Sequence, residues 1–189
     1  MQKPNTYVVK FGGSILSGPL FIEWVDALLK WSTEKQVYVV PGGGAIADAI
    51  RGLQATTGMS ELTAHQLAIA AMRQVAAVIC EAGQQRFGWT NLSDSKMRTD
   101  SVGLFLWVPE RTEYDVSGMP KDWSVTSDSI ALWFANYLQA TELVLLKSVA
   151  PRTGDPRAWS ADAYVDGYFP KLLPQTVCPV RAVWELGEL

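Results

Sequence analysis

Lys10 closes a short apolar run, Tyr7-Val-Val-Lys10, and is followed at once by Phe11-Gly12-Gly13-Ser14. A second glycine turn, Pro41-Gly42-Gly43-Gly44, follows the β-branched and aromatic run Gln36–Val40. Glycines let a backbone approach a phosphate closely, and the amides of the turn and the next helix then donate to it. A strand-final lysine adds a positive charge. Either turn alone is equally a tight turn and nothing more. Two in one small sheet, one with a lysine, point to an anion. Asp128, after Thr126-Ser127, stands where a helix begins. It either complements the helix dipole or orients lysines around transferring phosphoryl oxygens. Lys147 ends the apolar run Glu142–Lys147, where a charge is costly unless it meets an anion or opens into a cleft. Lys171, in Gly167-Tyr-Phe-Pro-Lys171, would by itself be read as a solvated surface residue.

The elements that must position these residues alternate. Strands are expected at 7–10, 36–40, 104–108, 142–147 and 181–186, with an irregular polar stretch over 83–99 that has room for one short strand. Helices are expected from Leu20 to Trp31, Ala45 to Leu53, Ser60 to about Ala82, Ser129 to Gln139 and Ala161 to Leu172. Leu20, Trp24, Ala27, Leu28 and Trp31 share one face of the first helix. Leu62, His65, Ile69, Met72, Ala76 and Ile79 form the stripe of the long one. Residues 110–122 and 151–157 read as loops. Strands separated by helices predict an α/β fold, with a mainly parallel sheet covered on both faces. In such a sheet both glycine turns lie at the carboxyl ends of strands, where ligands bind. No internal repeat or linker interrupts residues 1–189, which read as one domain.

Composition narrows the chemistry. The net charge of -3 and pI near 5.2 give no basic face for nucleic acid, so an anion site must be built locally. Cys80 and Cys178 with one His match no zinc spacing and read as reduced thiols, consistent with a cytoplasmic protein. No signal peptide is read at the N-terminus, and no apolar run is read as long enough for a membrane span. The P-loop pattern is absent, since no Gly-Lys pair exists. Gly42-x-Gly44-x-x-Ala47 loosely fits a dinucleotide fingerprint, but Glu61, near the acidic offset, opens a helix rather than ending a strand.

Taken in order, Lys10-x-Gly-Gly-Ser14, Gly42-Gly43-Gly44, the Asp128-Ser-x-Ala-x-x-x-Ala helix and Leu143-Val-Leu-Leu-Lys-Ser148 resemble the amino acid kinase superfamily. The resemblance implies a three-layer αβα sandwich and an enzyme using ATP and Mg²⁺. Lys10 then matches the lysine on the transferring phosphoryl group, and Gly12, Gly13 and Ser14 the loop around nucleotide phosphates. Gly42, Gly43 and Gly44 match the turn holding the acceptor, Asp128 the organiser of catalytic lysines, and Lys171 the late lysine on the ATP side. Lys147 and Ser148 fall on the nucleotide side, where the superfamily usually carries Thr-Asp. The stretch after Ser148 is also compressed. Pro41-Gly-Gly-Gly-Ala-Ile-Ala-Asp48-Ala-Ile-Arg51, Ala64-His65-Gln-Leu-Ala-Ile-Ala-Ala-Met72 and Trp123-Ser-Val-Thr-Ser-Asp-Ser129 look more closely like the methanofuran-biosynthesis kinases, which phosphorylate a phosphate monoester to a diphosphate.

On that resemblance the expected partner is a small anionic metabolite, and a homodimer or larger homo-oligomer is expected by analogy. Arg51, one turn beyond Asp48, either forks onto the acceptor's anionic group or pairs with Asp48 on a solvated helix face. His65 is either a satisfied core histidine or an acceptor contact. The competing readings are a carboxylate kinase forming an acyl phosphate, a non-catalytic nucleotide- or oxyanion-binding protein of the same fold, and a dehydrogenase, which the lysines disfavour.

Overall fold

The computed structural model describes residues 5–91 and 101–189. Strand β1, Thr6–Phe11, runs into a one-turn helix α1, Gly13–Leu16, and then α2, Phe21–Trp31. Strand β2, Gln36–Pro41, leads into α3, Gly44–Thr57, and the long α4, Glu61–Ala82. There follow β3, Gly88–Thr90, β4, Gly103–Trp107, helix α5, Arg111–Ser117, and α6, Ser127–Leu138. The chain then forms β5, Glu142–Leu146, the short α7, Phe169–Leu172, and β6, Val180–Val183. The part of the irregular stretch beyond residue 91 lies outside the described residues. Its short strand is β3.

The sheet is parallel throughout, in the order β3-β4-β2-β1-β5-β6. Crossovers between parallel strands are right-handed. Connections that step from β1 toward β3 therefore cover one face, and those that step back toward β6 cover the other. The contacts agree: α2 touches α4, and α6 touches α7. The result is the three-layer α/β sandwich expected. Buried on both faces, β1, β2 and β5 are apolar through their centres, at residues 8–9, 37–40 and 143–146. On the α6 face Phe134 stacks on Trp107 at 3.8 Å and meets Tyr38 edge-on at 5.6 Å.

β1 connects in one direction and its neighbour β5 in the other. The crevice beyond their carboxyl ends is thus the topological switch point of the sheet, the ligand position of open α/β folds. Lys10 and Gly12 reach it from β1, and Lys147 reaches it from β5.

Several expected elements differ. Residues 161–172 are not one helix: turns fill 161–168, and only α7 is helical. Ala163 sits at φ 54°, a conformation a helix interior excludes. Asp166 captures the amides of Tyr168 and Phe169, both at 3.1 Å, and Pro170 cannot donate the helical bond. Residues 110–122 are not all loop, because Glu110 and Glu113 form a reciprocal capping box that starts α5. Leu62 and Leu20 leave the expected core stripes, each 48% exposed.

α4 carries a correction to the membrane reading as well. It is long and apolar enough to cross a bilayer by length and composition. It is instead a core helix, burying Ala64, Ala71, Met72, Val75, Ala76 and Ile79 on one side. Its start is as expected: the Ser60 hydroxyl accepts from the amide of Thr63 at 3.2 Å.

Candidate functional site

The glycine turns meet. The amide of Gly12 donates to Leu146 O at 3.0 Å, and that of Gly42 to Phe11 O at 2.8 Å, which ties both turns to the strand ends. A β-carbon on Gly12 would stand 2.5 Å from Leu146 O, and one on Gly13 would stand 2.6 Å from the α-carbon of Gly44. Gly44 itself lies at φ 52°, where glycine is the cheap residue. These close approaches are why the turns are glycine. With no side chains at these positions, main chain lines the crevice at Gly13, Gly42, Gly43 and Gly44.

Asp128 enters from the first turn of α6 and is 5% exposed. Its Oδ1 lies 2.9 Å from Lys10 Nζ and 2.9 Å from Lys147 Nζ, and its Oδ2 accepts from Lys147 at 3.0 Å. Burial works to push this carboxyl up, but the two ammonium groups more than offset it, and the net shift is down. Lys147 is pulled down to about 8, by burial first and then by the like charge of Lys10. The cluster of two cations and one anion is net positive beside the glycine turns, so it is chemically suited to an anion.

The lysine paired here with Lys10 is Lys147. Lys171, expected to share Asp128, is exposed, with its ammonium 5.3 Å from the Tyr168 ring centroid. Its charge reaches Asp122, whose carboxyl is held down mainly by hydrogen bonds from Ser124. The physical reason is chain path: β5 delivers Lys147 beside β1, whereas Lys171 rides the short α7. Ser148 follows Lys147 and is exposed.

A cleft of about 350 Å³ opens beside the turns. Gly13, Ser14, Gly42, Gly43 and Gly44 form one wall, and Ser127 and Thr126 a second. Asp48, Arg51, His65 and Trp123 complete it. Of the two states expected for Arg51, the structure shows the pair with Asp48 at 3.1 Å, and the guanidinium also lies 4.2 Å from the Trp123 ring centroid. Trp123 is fixed in turn by a hydrogen bond to Gln54. His65 is 6% exposed, packs against Tyr114 with ring centroids 4.3 Å apart, and leaves Nε2 without a hydrogen-bond partner. Its pKa is lowered, by burial first and then by the charge of Lys121. It is therefore a histidine of the core wall, held toward the neutral form, with Nε2 unsatisfied. It also borders a second cavity of about 290 Å³ with Tyr114 and Glu110.

One organising residue escaped the sequence reading. The Asp166 carboxylate accepts from Thr126 N and Thr126 Oγ1, both at 2.9 Å, from Ser129 N at 3.0 Å, and from Ser129 Oγ. Together with the Tyr168 and Phe169 amides, these bonds clamp the N-terminus of α6 to the segment before α7. Burial, and then the charge of Asp128, push its pKa up. Its only sequence signal is an Asp-Gly pair, which ordinarily marks a turn.

Among the described residues no group of three or more His, Cys, Asp or Glu side chains is placed to hold a metal ion. A divalent cation carried by polyphosphate oxygens and water would need no such group.

This α/β domain brings two touching glycine turns and a lysine-bracketed aspartate to its switch point. The family model described as amino acid kinase family matches residues 5–92, just under half of the chain. The chain is 26% identical over 147 residues to the (5-(aminomethyl)furan-3-yl)methyl phosphate kinase of Methanocaldococcus jannaschii, covering 76% of this chain and 66% of that protein. It is 30% identical over 155 residues to a uridylate kinase of Methanothrix thermoacetophila, covering 79% and 65%. The chain thus spans just under two thirds of the length of these curated relatives. Among solved structures, uridylate kinase from Archaeoglobus fulgidus superposes with a TM-score of 0.73 at 17% identity, over 99% of this chain and 92% of that one. UMP kinase from Ureaplasma parvum gives 0.69 at 14% identity, over 97% and 92%. These likenesses establish the amino acid kinase fold.

Proposed function

We propose that the protein is a kinase that uses MgATP to convert a small phosphate monoester into a diphosphate. The observation that carries this reading is the Lys10–Asp128 pair, 2.9 Å apart and set behind two glycine turns that touch. MgATP would supply the γ-phosphoryl group, whose bond to the β–γ bridging oxygen breaks as a bond to an acceptor phosphate oxygen forms, leaving ADP. Phosphoryl transfer asks a protein chiefly for in-line placement and charge neutralisation. Lys10 and the amides of Gly13 and Ser14 neutralise the transferring oxygens, while the Gly12 amide ties the turn to Leu146 O. Gly42, Gly43 and Gly44 seat the acceptor's phosphate, Arg51 adds a guanidinium to the acceptor end, and Trp123 and His65 close the wall.

An acceptor phosphate is ionised at neutral pH and needs no general base. That suits a cleft whose one imidazole is walled into the core. Both relatives named above act, by name, on a phosphate monoester, which supports this acceptor class over a carboxylate. Within the class we favour an aminomethylfuran methyl phosphate of the methanofuran pathway, and a cytoplasmic homo-oligomer as the working form.

The test is phosphorus NMR of the chain with MgATP and a panel of phosphate monoesters, uridylate included, and of carboxylates. A diphosphate product with coupled resonances is expected. A hydroxylamine-trapped acyl phosphate would move the assignment to carboxylate kinases, and absence of turnover throughout would favour a non-catalytic binding protein.

A further inference from the structure

Lys10 and Lys147 look equivalent, since both touch Oδ1 of Asp128 at 2.9 Å. Their remaining surroundings separate them. An ammonium has three donors and no acceptor. Lys147 donates two hydrogen bonds, to Asp128 Oδ2 at 3.0 Å and to the carbonyl of Tyr164 at 2.6 Å, besides its ion pair with Asp128 Oδ1. The Tyr164 ring covers it at 5.1 Å, and the phenol is tied back by a 3.1 Å bond to Val149 O. The segment after β5 therefore folds over Lys147 and takes up one of its donors while Asp128 takes another, leaving the side chain 13% exposed against 6% for Lys10. Lys10 has an ion pair with Asp128, and its Nζ lies 3.7 Å from where a β-carbon on Gly12 would be, on the glycine-turn side. Its other protons are left for a ligand.

We propose that Lys147 is a positioning residue for phosphoryl transfer, which locks Asp128 from behind so that Asp128 holds Lys10 against the glycine turns. Lys147 touches neither nucleotide nor acceptor. The inference rests on the kinase reading and gives Lys147 a role different from nucleotide contact. Its logic is electrostatic. A buried carboxylate with one ammonium is under-compensated and prone to take up a proton. A neutral Asp128 would release Lys10. The charged groups facing Lys147 are Lys10 from β1 and Asp128 from α6, with the Tyr164 phenol from the covering segment. The Asp166 carboxylate stands beyond Asp128. The depressed pKa of Lys147 accords with this crowding.

The experiment compares Lys147→Met and Lys147→Arg with the wild-type chain, by steady-state kinetics with MgATP and by the carbon-13 NMR titration of Asp128. The Asp128 signal is assigned with Asp128→Asn. In Lys147→Met, kcat is expected to fall about 10²-fold, the scale of a displaced catalytic group, with the KM for ATP nearly unchanged. The Asp128 carboxyl should titrate at higher pH than in the wild type. If the Met variant does not fold, Lys147→Arg decides, and it should retain most of the turnover and the KM. A raised KM for ATP with kcat retained, in either variant, would make Lys147 a nucleotide contact and overturn the proposal. So would an Asp128 titration that does not move. If the wild-type chain phosphorylates none of the panel, the kinase reading has failed, and the Asp128 titration still decides whether Lys147 is the lock.

Discussion

Gly13 and Gly44 touch backbone to backbone: a β-carbon on Gly13 would lie 2.6 Å from the α-carbon and 2.8 Å from the amide nitrogen of Gly44. Neither atom belongs to a side chain that could swing away. Gly13→Ala should therefore push the turns apart and cost about 1–3 kcal/mol, the range for forced overpacking. Chemical denaturation measures the cost. Isothermal titration with MgATP should show weakened binding even at temperatures where the variant is folded. Full nucleotide affinity in a folded Gly13→Ala protein would detach the contact from the phosphate site.

Lys10 is the cation with donors to spare. Lys10→Ala should reduce single-turnover phosphoryl transfer by about 10² or more, as when a key electrostatic donor is lost. The fold should survive, because Asp128 keeps Lys147 as a partner at 3.0 Å. Rapid-quench kinetics beside a thermal melt separates the two effects. Undiminished transfer would remove Lys10 from the chemistry.

Much of this site was legible in the sequence because its parts are strand ends and glycines. Periodicity places strand ends well, and β1, β2 and β5 are short apolar runs stopped by Gly or a charge. Lys10, Gly12, Gly42 and Lys147 are therefore delivered to one crevice by topology alone. Asp128 was found through its place at a helix start. The residues that were not legible depend on chain path through irregular segments. Lys171 was paired with Asp128 by resemblance, yet the segment from Lys147 to Tyr168 folds so that Lys147 takes that place. Asp166 has no periodic context, and its six donors come from Thr126, Ser129, Tyr168 and Phe169, which only the tertiary fold gathers. α5 was missed because its capping box uses Glu110 in place of Ser or Thr.

Arg51 stands in the cleft, held by Asp48 and by the face of Trp123. A charge-assisted hydrogen bond contributes about 1.5–3 kcal/mol, so Arg51→Met should raise the KM for the acceptor by roughly 10–10²-fold. The KM for ATP should stay near its wild-type value. Initial rates with each substrate varied in turn check this. A change confined to ATP would put Arg51 on the wrong side of the site.

Asp166 holds the first turn of α6, and so the direction in which Asp128 points. Asp166→Asn keeps the shape but turns one acceptor into a donor facing amides. One or two orphaned buried donors cost roughly 2–4 kcal/mol in all. The melting temperature should drop, and kcat should drop further than stability alone explains, because Asp128 is misaligned. A variant with normal kcat at temperatures where it is folded would leave Asp166 a purely structural clamp.

Lys147 makes activity and stability part company at alkaline pH. Its pKa is pulled to about 8 from an ordinary 10.5, by burial and by Lys10. As pH rises through about 8 the ammonium becomes neutral, Asp128 loses its second cation, and kcat should decline. The stability term has the opposite sign. Between about 8 and 10.5 the unfolded chain carries the proton at this position and the folded chain does not. Stability from this group therefore rises with pH across that window. A protein losing turnover near pH 8 simply by unfolding would show the reverse. The check is a pH profile of kcat beside urea midpoints at the same pH values. In Lys147→Met the alkaline limb should disappear, and the wild-type rate should descend toward the low rate of the variant. A limb that persists in Lys147→Met would belong to another group.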